Sequence, residues 1–202
     1  MALIDVTYGN IDQRQADRMV TAASLARRRP YYAPGATEPW IAELLCCLLK
    51  GTGIPHALET GGFLGTTSVE LAQTLHEMGG GSLTVCEIDP ERAAGIYDSL
   101  EVERTLLGVD VRVAAQDALQ VIAGLPDGWL GLAFLDDDHT IKHVTLEIEA
   151  LLPKMAPGGL LAFHDVYGVC DLQRLVRLYG GYSLDLPRCG PAGGLGLIQV
   201  PR

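Results

Sequence analysis

The 202-residue sequence has no long hydrophobic run. No stretch approaches the roughly 18 uncharged apolar residues of a membrane-spanning helix, and the longest candidates, Leu44–Leu49 and Trp129–Leu135, have the length of core segments. The first ten residues contain neither the basic segment nor the apolar segment of a signal peptide. We therefore expect a chain that is not exported and that has no membrane partner.

Positive charge is scarce as well, because 15 lysine and arginine residues stand against 25 aspartate and glutamate residues. The resulting net charge of −10 repels phosphate backbones, so we expect no nucleic-acid partner. The one basic cluster, Arg27–Arg29, is typical of the last turn of a surface helix, where cations suit the helix dipole.

Cysteine pairs at C-x-x-C spacing are absent, and the five cysteines are an odd number. Cys46, Cys47 and Cys86 lie in apolar runs, which is typical of buried thiols rather than of a disulfide framework. A reducing, cytoplasmic location is the simplest interpretation.

Glycine, by contrast, is abundant, and its 24 residues fall largely in clusters that separate short apolar runs from helix-length segments. From residue 56 onward, strand-like runs alternate five times with helical patterns, and the later runs are apolar at nearly every position. Strands buried on both faces of a parallel sheet show this pattern, which predicts a doubly wound α/β fold. The predicted strands are His56–Glu59, Leu83–Ile88, Val111–Ala115, Leu130–Leu135 and Leu160–Phe163, and the main helices between them are Thr66–Met78, Pro90–Leu106 and Ile141–Met155.

The end of the chain breaks this alternation. After a helical pattern at Leu172–Tyr179, the runs Tyr182–Leu186 and Leu195–Val200 follow with no helix between them, so they must pair antiparallel. We therefore predict a Rossmann-like, mainly parallel seven-stranded sheet that ends in an antiparallel hairpin, with helices on both faces. The length predicts one structural unit, with N-terminal helices at 1–54 and a ligand-binding domain at 55–202.

Two helical patterns, Gln13–Arg28 and Pro39–Leu49, precede the first predicted strand. This region either covers the site or forms the interface of a homo-oligomer. The second helix carries a broad apolar face, which alternatively covers the sheet. That face consists of Trp40, Ile41, Leu44, Leu45 and Leu48.

Acidic residues stand at the ends of all five predicted parallel strands, where open α/β sheets bind their ligands. One carboxylate in such a place is common, but five in register indicate a functional site. The five residues are Glu59, Glu87, Asp117, Asp136 and Asp165.

The loop Glu59–Gly65 lacks both the Gly-Lys-Ser/Thr of a phosphate-binding loop and the G-x-G-x-x-G spacing of a dinucleotide site. Its glycines, Gly61 and Gly65 among them, let the backbone approach a ligand, and a carboxylate at this strand end suits a cationic ligand. Glu87 can accept hydrogen bonds from both hydroxyls of a ribose. Asp117 either caps the next helix or accepts a hydrogen bond from an adenine amino group.

The fourth and fifth strands end in denser clusters, Asp136–His139 and His164–Asp165. Because these strands are neighbours in the expected fold, Asp136 and Asp165 lie close together and repel each other. The site must then hold a metal ion, a protonated His164 or a shared proton.

This ordered set of residues resembles the class I S-adenosylmethionine-dependent methyltransferases over roughly residues 55–200. The acid and glycines after the first strand, the acids after the second and third strands and the final hairpin all match that superfamily. The segments Phe134–Thr140 and Pro157–Asp165 are similar to the F-I-D-G-D-H and P-G-G…H-D patterns of small O-methyltransferase-like proteins. The resemblance implies an enzyme that transfers a methyl group from S-adenosylmethionine to a small-molecule acceptor, most simply to an oxygen atom.

The resemblance also implies roles for individual residues. The cofactor-binding residues would be Glu59, Gly61, Gly65, Glu87, Asp117, Ala118 and Asp136, and the catalytic residues would be Asp136, His139 and His164. A divalent cation would bind Asp136, His164 and Asp165. His164 stands where metal-dependent relatives have a carboxylate or amide, so a softer metal or none fits as well.

Without a metal, His139 or His164 is the candidate general base. Two other functions stay open at this point. One is a non-catalytic protein of the same fold that only binds the nucleoside cofactor. The other is a nicotinamide-dependent oxidoreductase, which the glycine spacing and the terminal hairpin disfavour.

Overall fold

The computed structural model describes residues 35–105, 107–168, 172–186 and 193–202. The helix predicted at Gln13–Arg28, the basic cluster Arg27–Arg29 and two of the cysteines, Cys170 and Cys189, lie outside these ranges. Within the ranges, no helix combines the length and the apolar composition that crossing a bilayer requires.

A seven-stranded sheet forms the centre of the described part of the chain. Its strands are β1 (His56–Thr60), β2 (Gly81–Cys86), β3 (Val109–Ala114), β4 (Leu130–Leu135), β5 (Met155–Phe163), β6 (Tyr182–Leu184) and β7 (Leu195–Gln199). The order is β3-β2-β1-β4-β5-β7-β6, in which the first five strands run parallel and β7 pairs antiparallel with both β5 and β6. The predicted Rossmann-like sheet with its antiparallel end is confirmed.

Helices pack against this sheet on both faces. They are α1 (Pro39–Thr52), α2 (Thr66–Glu77), α3 (Pro90–Ser99), α4 (Glu101–Thr105), α5 (Ala118–Ala123), α6 (Ile141–Leu151) and α7 (Leu172–Leu178), with a 3₁₀ turn at Leu152–Lys154. Residues of α5, α6 and α7 share one hydrophobic core with strand residues such as Leu58 and Ala133. A separate set of buried side chains, including Ile41 and Leu71, packs α1 and α2 against the sheet.

The crevice of the fold lies at the carboxyl ends of β1 and β4. β1 pairs with β2 on one side and with β4 on the other, so Thr60 is in register with both Cys86 and Leu135. The connections after β1 and β4 lead to opposite halves of the sheet, and the loops leave an opening between them. Ligands bind at such switch points in doubly wound sheets.

Two predicted helices end differently from the prediction. The helix expected at Pro90–Leu106 is divided into α3 and α4 at Leu100. The helix expected at Ile141–Met155 ends at Leu151, because Pro153 has no N–H with which to continue the helical hydrogen bonds. β5 therefore begins at Met155, earlier than the predicted start at Leu160.

Helix α1 buries part of its apolar face inside the chain. Ile41 and Leu45 are fully buried against α2 and the sheet, Leu44 and Leu48 are half-buried, and Trp40 is 37% exposed. This packing gives the face a role in covering the sheet. Self-association through it stays a prediction, as does the division of the chain at residue 54.

Two of the described cysteines lie on helix α1, and the third lies in β2. Cys86 is buried in β2, as predicted, but Cys46 is half-buried and Cys47 is exposed. The prediction of a buried thiol is therefore wrong for Cys47. An apolar run in a helix turns part of its length away from the core, whatever its composition.

Candidate active site

A cavity of about 780 Å³ opens at the carboxyl ends of the parallel strands. The loops after β1 to β5 line it, and its volume is typical of cofactor and small-molecule sites, which span about 300–1,000 Å³. Most of the predicted site residues form part of this lining: Gly61, Glu87, Asp117, Ala118, Asp136, His139, His164 and Asp165.

Glu59 lies behind the cavity rather than in its lining. Its side chain is buried at the end of β1 and accepts a hydrogen bond from the Ser68 hydroxyl. Burial raises the pKa of Glu59 to about 8 despite that hydrogen bond, so the carboxyl group is mostly protonated at neutral pH. It borders a smaller space that also reaches Gly61 and Asp136. A cationic ligand in that space would favour its charged form.

Gly61 brings two loops of the site together. Its φ is +76°, and a Cβ placed on it would lie 2.3 Å from the carbonyl oxygen of Asp136. Its N–H donates to the Cys86 carbonyl at 2.9 Å, so Gly61 shapes the site instead of offering a donor to a ligand. Gly65 has a φ of +75°, begins helix α2 and lies against Ile96 outside the cavity lining.

Glu87 is held rigidly at the end of β2. One carboxylate oxygen accepts the backbone N–H of Phe63 at 2.9 Å and the other accepts that of Asp89 at 2.9 Å. Asp89 itself caps helix α3, so the two neighbouring acids have separate roles. Beside Glu87, the guanidinium of Arg92 lies 5.0 Å from the centre of the Phe63 ring, and both of these residues line the cavity.

Asp117 and Ala118 form the cavity wall after β3. Oδ1 of Asp117 accepts the backbone N–H of Leu119 at 3.0 Å and caps helix α5. The second carboxylate oxygen stays available to a ligand in the cavity. The two roles expected of Asp117 are therefore compatible.

Three side chains, the buried Glu38 and His164 and the partly buried Asp136, form a connected row across the end of the site. Nε2 of His164 lies 2.8 Å from Oε2 of Glu38, and Nδ1 lies 2.9 Å from Oδ1 of Asp136. The Thr37 hydroxyl donates to the other oxygen of Asp136 at 2.8 Å. Burial lowers the pKa of His164, but the carboxylates of Asp136, Asp165 and Glu38 outweigh it and raise the pKa to about 9. His164 is therefore a charged imidazolium at neutral pH.

His139 approaches the same pair of aspartates from the cavity side. Its Nε2 lies 3.4 Å from Oδ1 of Asp136 and 4.0 Å from Oδ2 of Asp165. Hydrogen bonding to Asp136 raises the pKa of His139 above its ordinary value, against the effect of burial. Burial alone would raise the pKa of Asp136, but its contacts with His139 and His164 hold that pKa below the ordinary value.

Sequence reasoning missed Thr37 and Glu38. They precede helix α1 and contact residues 99 and 126 positions away, and no local pattern predicts contacts at such separations. It named Asp137 only as part of the Asp136–His139 cluster and missed His143 and Glu147, and these three residues form a second group beside the first. The sequence did indicate that His143 and Glu147 lie near each other, because they are four residues apart in a predicted helix and so share one face.

A family model described as a methyltransferase domain matches residues 58–166. Comparison with curated proteins gives no significant match. Among solved structures, an O-methyltransferase from Bacillus cereus in complex with SAH is 19% identical, with a TM-score of 0.64 over 96% of this chain and 93% of that one.

Two further structures show the same likeness. TomG, an O-methyltransferase from Streptomyces achromogenes involved in tomaymycin synthesis and solved with SAM, is 17% identical, with a TM-score of 0.65 over 97% of this chain and 93% of its own. A methyltransferase from Geobacter sulfurreducens is 16% identical, with a TM-score of 0.61 over 96% and 99% of the two chains. At these identities the likeness shows a shared fold.

The family model identifies the family of this chain, because it spans more than half of the 202 residues. The matched segment contains the carboxylates at all five parallel strand ends, from Glu59 to Asp165. The resemblance to methyltransferases seen in the sequence is confirmed, and the chain belongs to the methyltransferase-domain family.

Proposed function

We propose that this enzyme transfers the methyl group of S-adenosylmethionine to an oxygen atom of a small-molecule acceptor. The observation that carries the proposal is the order of groups along the sheet edge. Asp117, Glu87 and Gly61 follow β3, β2 and β1, and the His139 and His164 clusters follow β4 and β5 in the same cavity. A nucleoside would lie along the first three loops, with its reactive end at the last two.

Glu87 is the residue best placed to hold the ribose. Its two oxygens offer about four lone-pair positions, and the N–H groups of Phe63 and Asp89 occupy only two. The remaining positions can accept the two ribose hydroxyls. Since the backbone already fixes the carboxylate, binding the cofactor costs little side-chain entropy.

His139 is the group that we propose takes the proton. The sulfonium of the bound cofactor would supply the methyl group. The acceptor oxygen would form a bond to the methyl carbon as the carbon–sulfur bond breaks, and the acceptor's proton would pass to the imidazole of His139. Nε2 of His139 is buried and faces Asp136 and Asp165, and the residue as a whole lines the cavity. Holding the acceptor in line with the methyl group can supply roughly 7–11 kcal/mol of the barrier reduction.

We assign His164 a positioning role. Both of its nitrogens face carboxylates, so as an imidazolium it has no lone pair with which to act as a base or to ligate a metal. Its single positive charge also reduces the repulsion between Asp136 and Asp165, which a metal ion would otherwise reduce. The residues of the predicted metal set, Asp136, His164 and Asp165, thus do not fit a metal, and we propose that this cluster acts without one.

Formation of S-adenosylhomocysteine tests the proposed function. The wild-type chain is incubated with S-adenosylmethionine and a panel of small phenols, hydroxy acids and sugars, and the product is measured by mass spectrometry. We expect a hydroxyl-bearing acceptor to give product and Asp136→Asn to reduce it strongly. Tight cofactor binding with no transfer to any oxygen, nitrogen or sulfur acceptor would instead favour the non-catalytic alternative.

The proposal also includes the cellular compartment in which the reaction takes place. We place the reaction in the reducing cytoplasm, which the thiols of Cys46, Cys47 and Cys86 support. A homo-oligomer remains a prediction, to be tested by sedimentation at micromolar protein concentration.

A further inference from the structure

A second cluster of ligand-type side chains borders the cavity. Asp137 follows β4, and His143 and Glu147 lie one turn apart on α6. Nε2 of His143 is 3.1 Å from Oδ2 of Asp137 and 3.8 Å from Oε2 of Glu147, and the three ligand atoms lie within 4.8 Å of one another. Ligands at about 2.0–2.2 Å from a tetrahedral ion are about 3.3–3.6 Å apart. A single ion can therefore contact all three groups after small shifts.

The surroundings of Glu147 give a second, independent observation that points to a ligand. Its side chain is 0% exposed, and neither oxygen accepts a hydrogen bond of good geometry from the described residues, although the nearby Thr60 hydroxyl favours its charged form. A buried carboxyl group without hydrogen-bond partners is costly in either protonation state. A Leu or Met could fill this helix position without that cost, so the carboxylate requires an explanation.

In the neighbouring cluster, by contrast, the carboxylate of Asp136 has hydrogen-bond partners within the chain. Asp136 receives contacts from His164, His139 and Thr37, and its pKa lies below the ordinary value. Glu147 has no such set of donors among the described residues. Both of its buried oxygens lack a hydrogen-bond partner of good geometry, and Nε2 of His143 lies 3.8 Å away. Asp136 is thus satisfied within the chain, whereas Glu147 is not.

The cluster is open to a solute from one side. Asp137 and His143 line the cavity, with 24% and 19% of their side chains exposed, while Glu147 forms the closed back of the group. An ion can therefore enter through the cavity and keep one position for water. Because Asp137 adjoins Asp136 in the chain, such an ion would also fix the loop that carries Asp136 and His139.

We propose that Asp137, His143 and Glu147 form a binding site for a divalent transition-metal cation, distinct from the Asp136 cluster. One imidazole nitrogen and two carboxylate oxygens are the donor set of Zn²⁺ and related borderline ions, whereas Mg²⁺ prefers oxygen ligands alone. The site would anchor the loop after β4 to helix α6. This inference does not depend on the methyl-transfer proposal.

Zinc titration of the full chain, followed by calorimetry, tests the site. We expect one Zn²⁺ per chain in the wild type and weak or no response to Mg²⁺. His143→Ala removes a ligand and should weaken Zn²⁺ binding by at least about 100-fold, since even outer-sphere changes cost 10–100-fold. His139→Ala is the matched control from the other cluster and should bind as the wild type does. Glu147→Gln, which keeps the size of the side chain, should weaken binding as well.

The decisive comparison is between the Zn²⁺ affinities of His143→Ala and His139→Ala. Circular dichroism first establishes that each variant is folded, and anomalous scattering at the zinc edge locates the ion in crystals. An ion between His143 and Glu147 supports the site. No Zn²⁺ binding by the wild type would overturn it. So would equal affinity in His143→Ala and the wild type, or loss of binding in His139→Ala alone.

Discussion

Oε2 of Glu38 lies 2.8 Å from Nε2 of His164, although the two residues are 126 positions apart. Both side chains are buried, and the contact ties the segment that precedes α1 to the end of β5. Since His164 also contacts Asp136, the segment before α1 helps to set the charge of the Asp136 cluster. This segment therefore forms part of the candidate site.

Glu38→Gln keeps the shape of the side chain and removes its charge, so we expect the pKa of His164 to fall from about 9. A histidine with a raised pKa stabilises the fold fully below about pH 6.5, and that stabilisation is lost as the pH rises through 9. The wild type should lose up to about 3 kcal/mol over this range, and Glu38→Gln should lose less. NMR titration of His164 and urea unfolding at both pH values measure these effects.

Glu43→Gln, an exposed change on the same helix, is the control and should behave as the wild type does. An identical pH dependence of stability in Glu38→Gln and Glu43→Gln would show that the contact with His164 carries no charge coupling.

Glu87→Ala should weaken binding of S-adenosylmethionine while the protein stays folded. The change removes up to two charge-assisted hydrogen bonds to the ribose, each worth roughly 1.5–3 kcal/mol, so we expect a loss of at least tenfold in calorimetry. Asp89→Ala is the matched control, because Asp89 caps α3 without lining the cavity. It should cost about 1 kcal/mol of stability and leave the affinity unchanged. Unchanged affinity in Glu87→Ala would refute the ribose assignment.

Gly61→Ala should reduce both stability and cofactor affinity. The added Cβ would meet the Asp136 carbonyl oxygen at 2.3 Å, in a backbone conformation that other residues rarely adopt. Gly95→Ala is the contrasting variant, because Gly95 lies in α3 with nothing within 4 Å of the new Cβ. It should stabilise the protein by about 0.5–1 kcal/mol. Thermal unfolding of both variants checks the pair, and similar changes in the two would count against the steric account.

The positions of the site residues were predictable to the extent that they depend on strand ends. Glu87 and Asp136 follow buried apolar runs, and parallel strands bring their carboxyl ends to one sheet edge. The role of Gly61 was only half predictable. The sequence predicted that the lack of a side chain lets this loop approach a ligand closely. In the structure, the segment that lies closest to Gly61 is the backbone of Asp136.

Other features depend on packing that no local pattern encodes. Glu38 reaches His164 only because α1 packs against α2 and the sheet, and a sequence pattern carries no distance between residues so far apart. The protonated state of His164 follows from that contact together with Asp136 and Asp165. From the sequence, a metal ion, a shared proton and a protonated His164 were all possible between Asp136 and Asp165. The contacts in the structure favour a protonated His164.

His139→Gln should lower the rate of methyl transfer by about 10²–10⁴-fold, the usual contribution of a general base. In the wild type the rate should rise with pH through a value above 6.5, because the contact with Asp136 raises the pKa of His139. The variant should show a flat profile over the same range. A rise of equal size in His139→Gln would assign the proton transfer to another group.

Calorimetric titration of the purified chain with S-adenosylmethionine, and separately with NAD⁺ and NADP⁺, tests the central claim most directly. The arrangement of Gly61, Glu87 and Asp117 around one cavity predicts one S-adenosylmethionine per chain with micromolar or tighter affinity, and no binding of either nicotinamide cofactor. Absence of S-adenosylmethionine binding by folded protein, or preferential binding of a nicotinamide cofactor, would contradict the account.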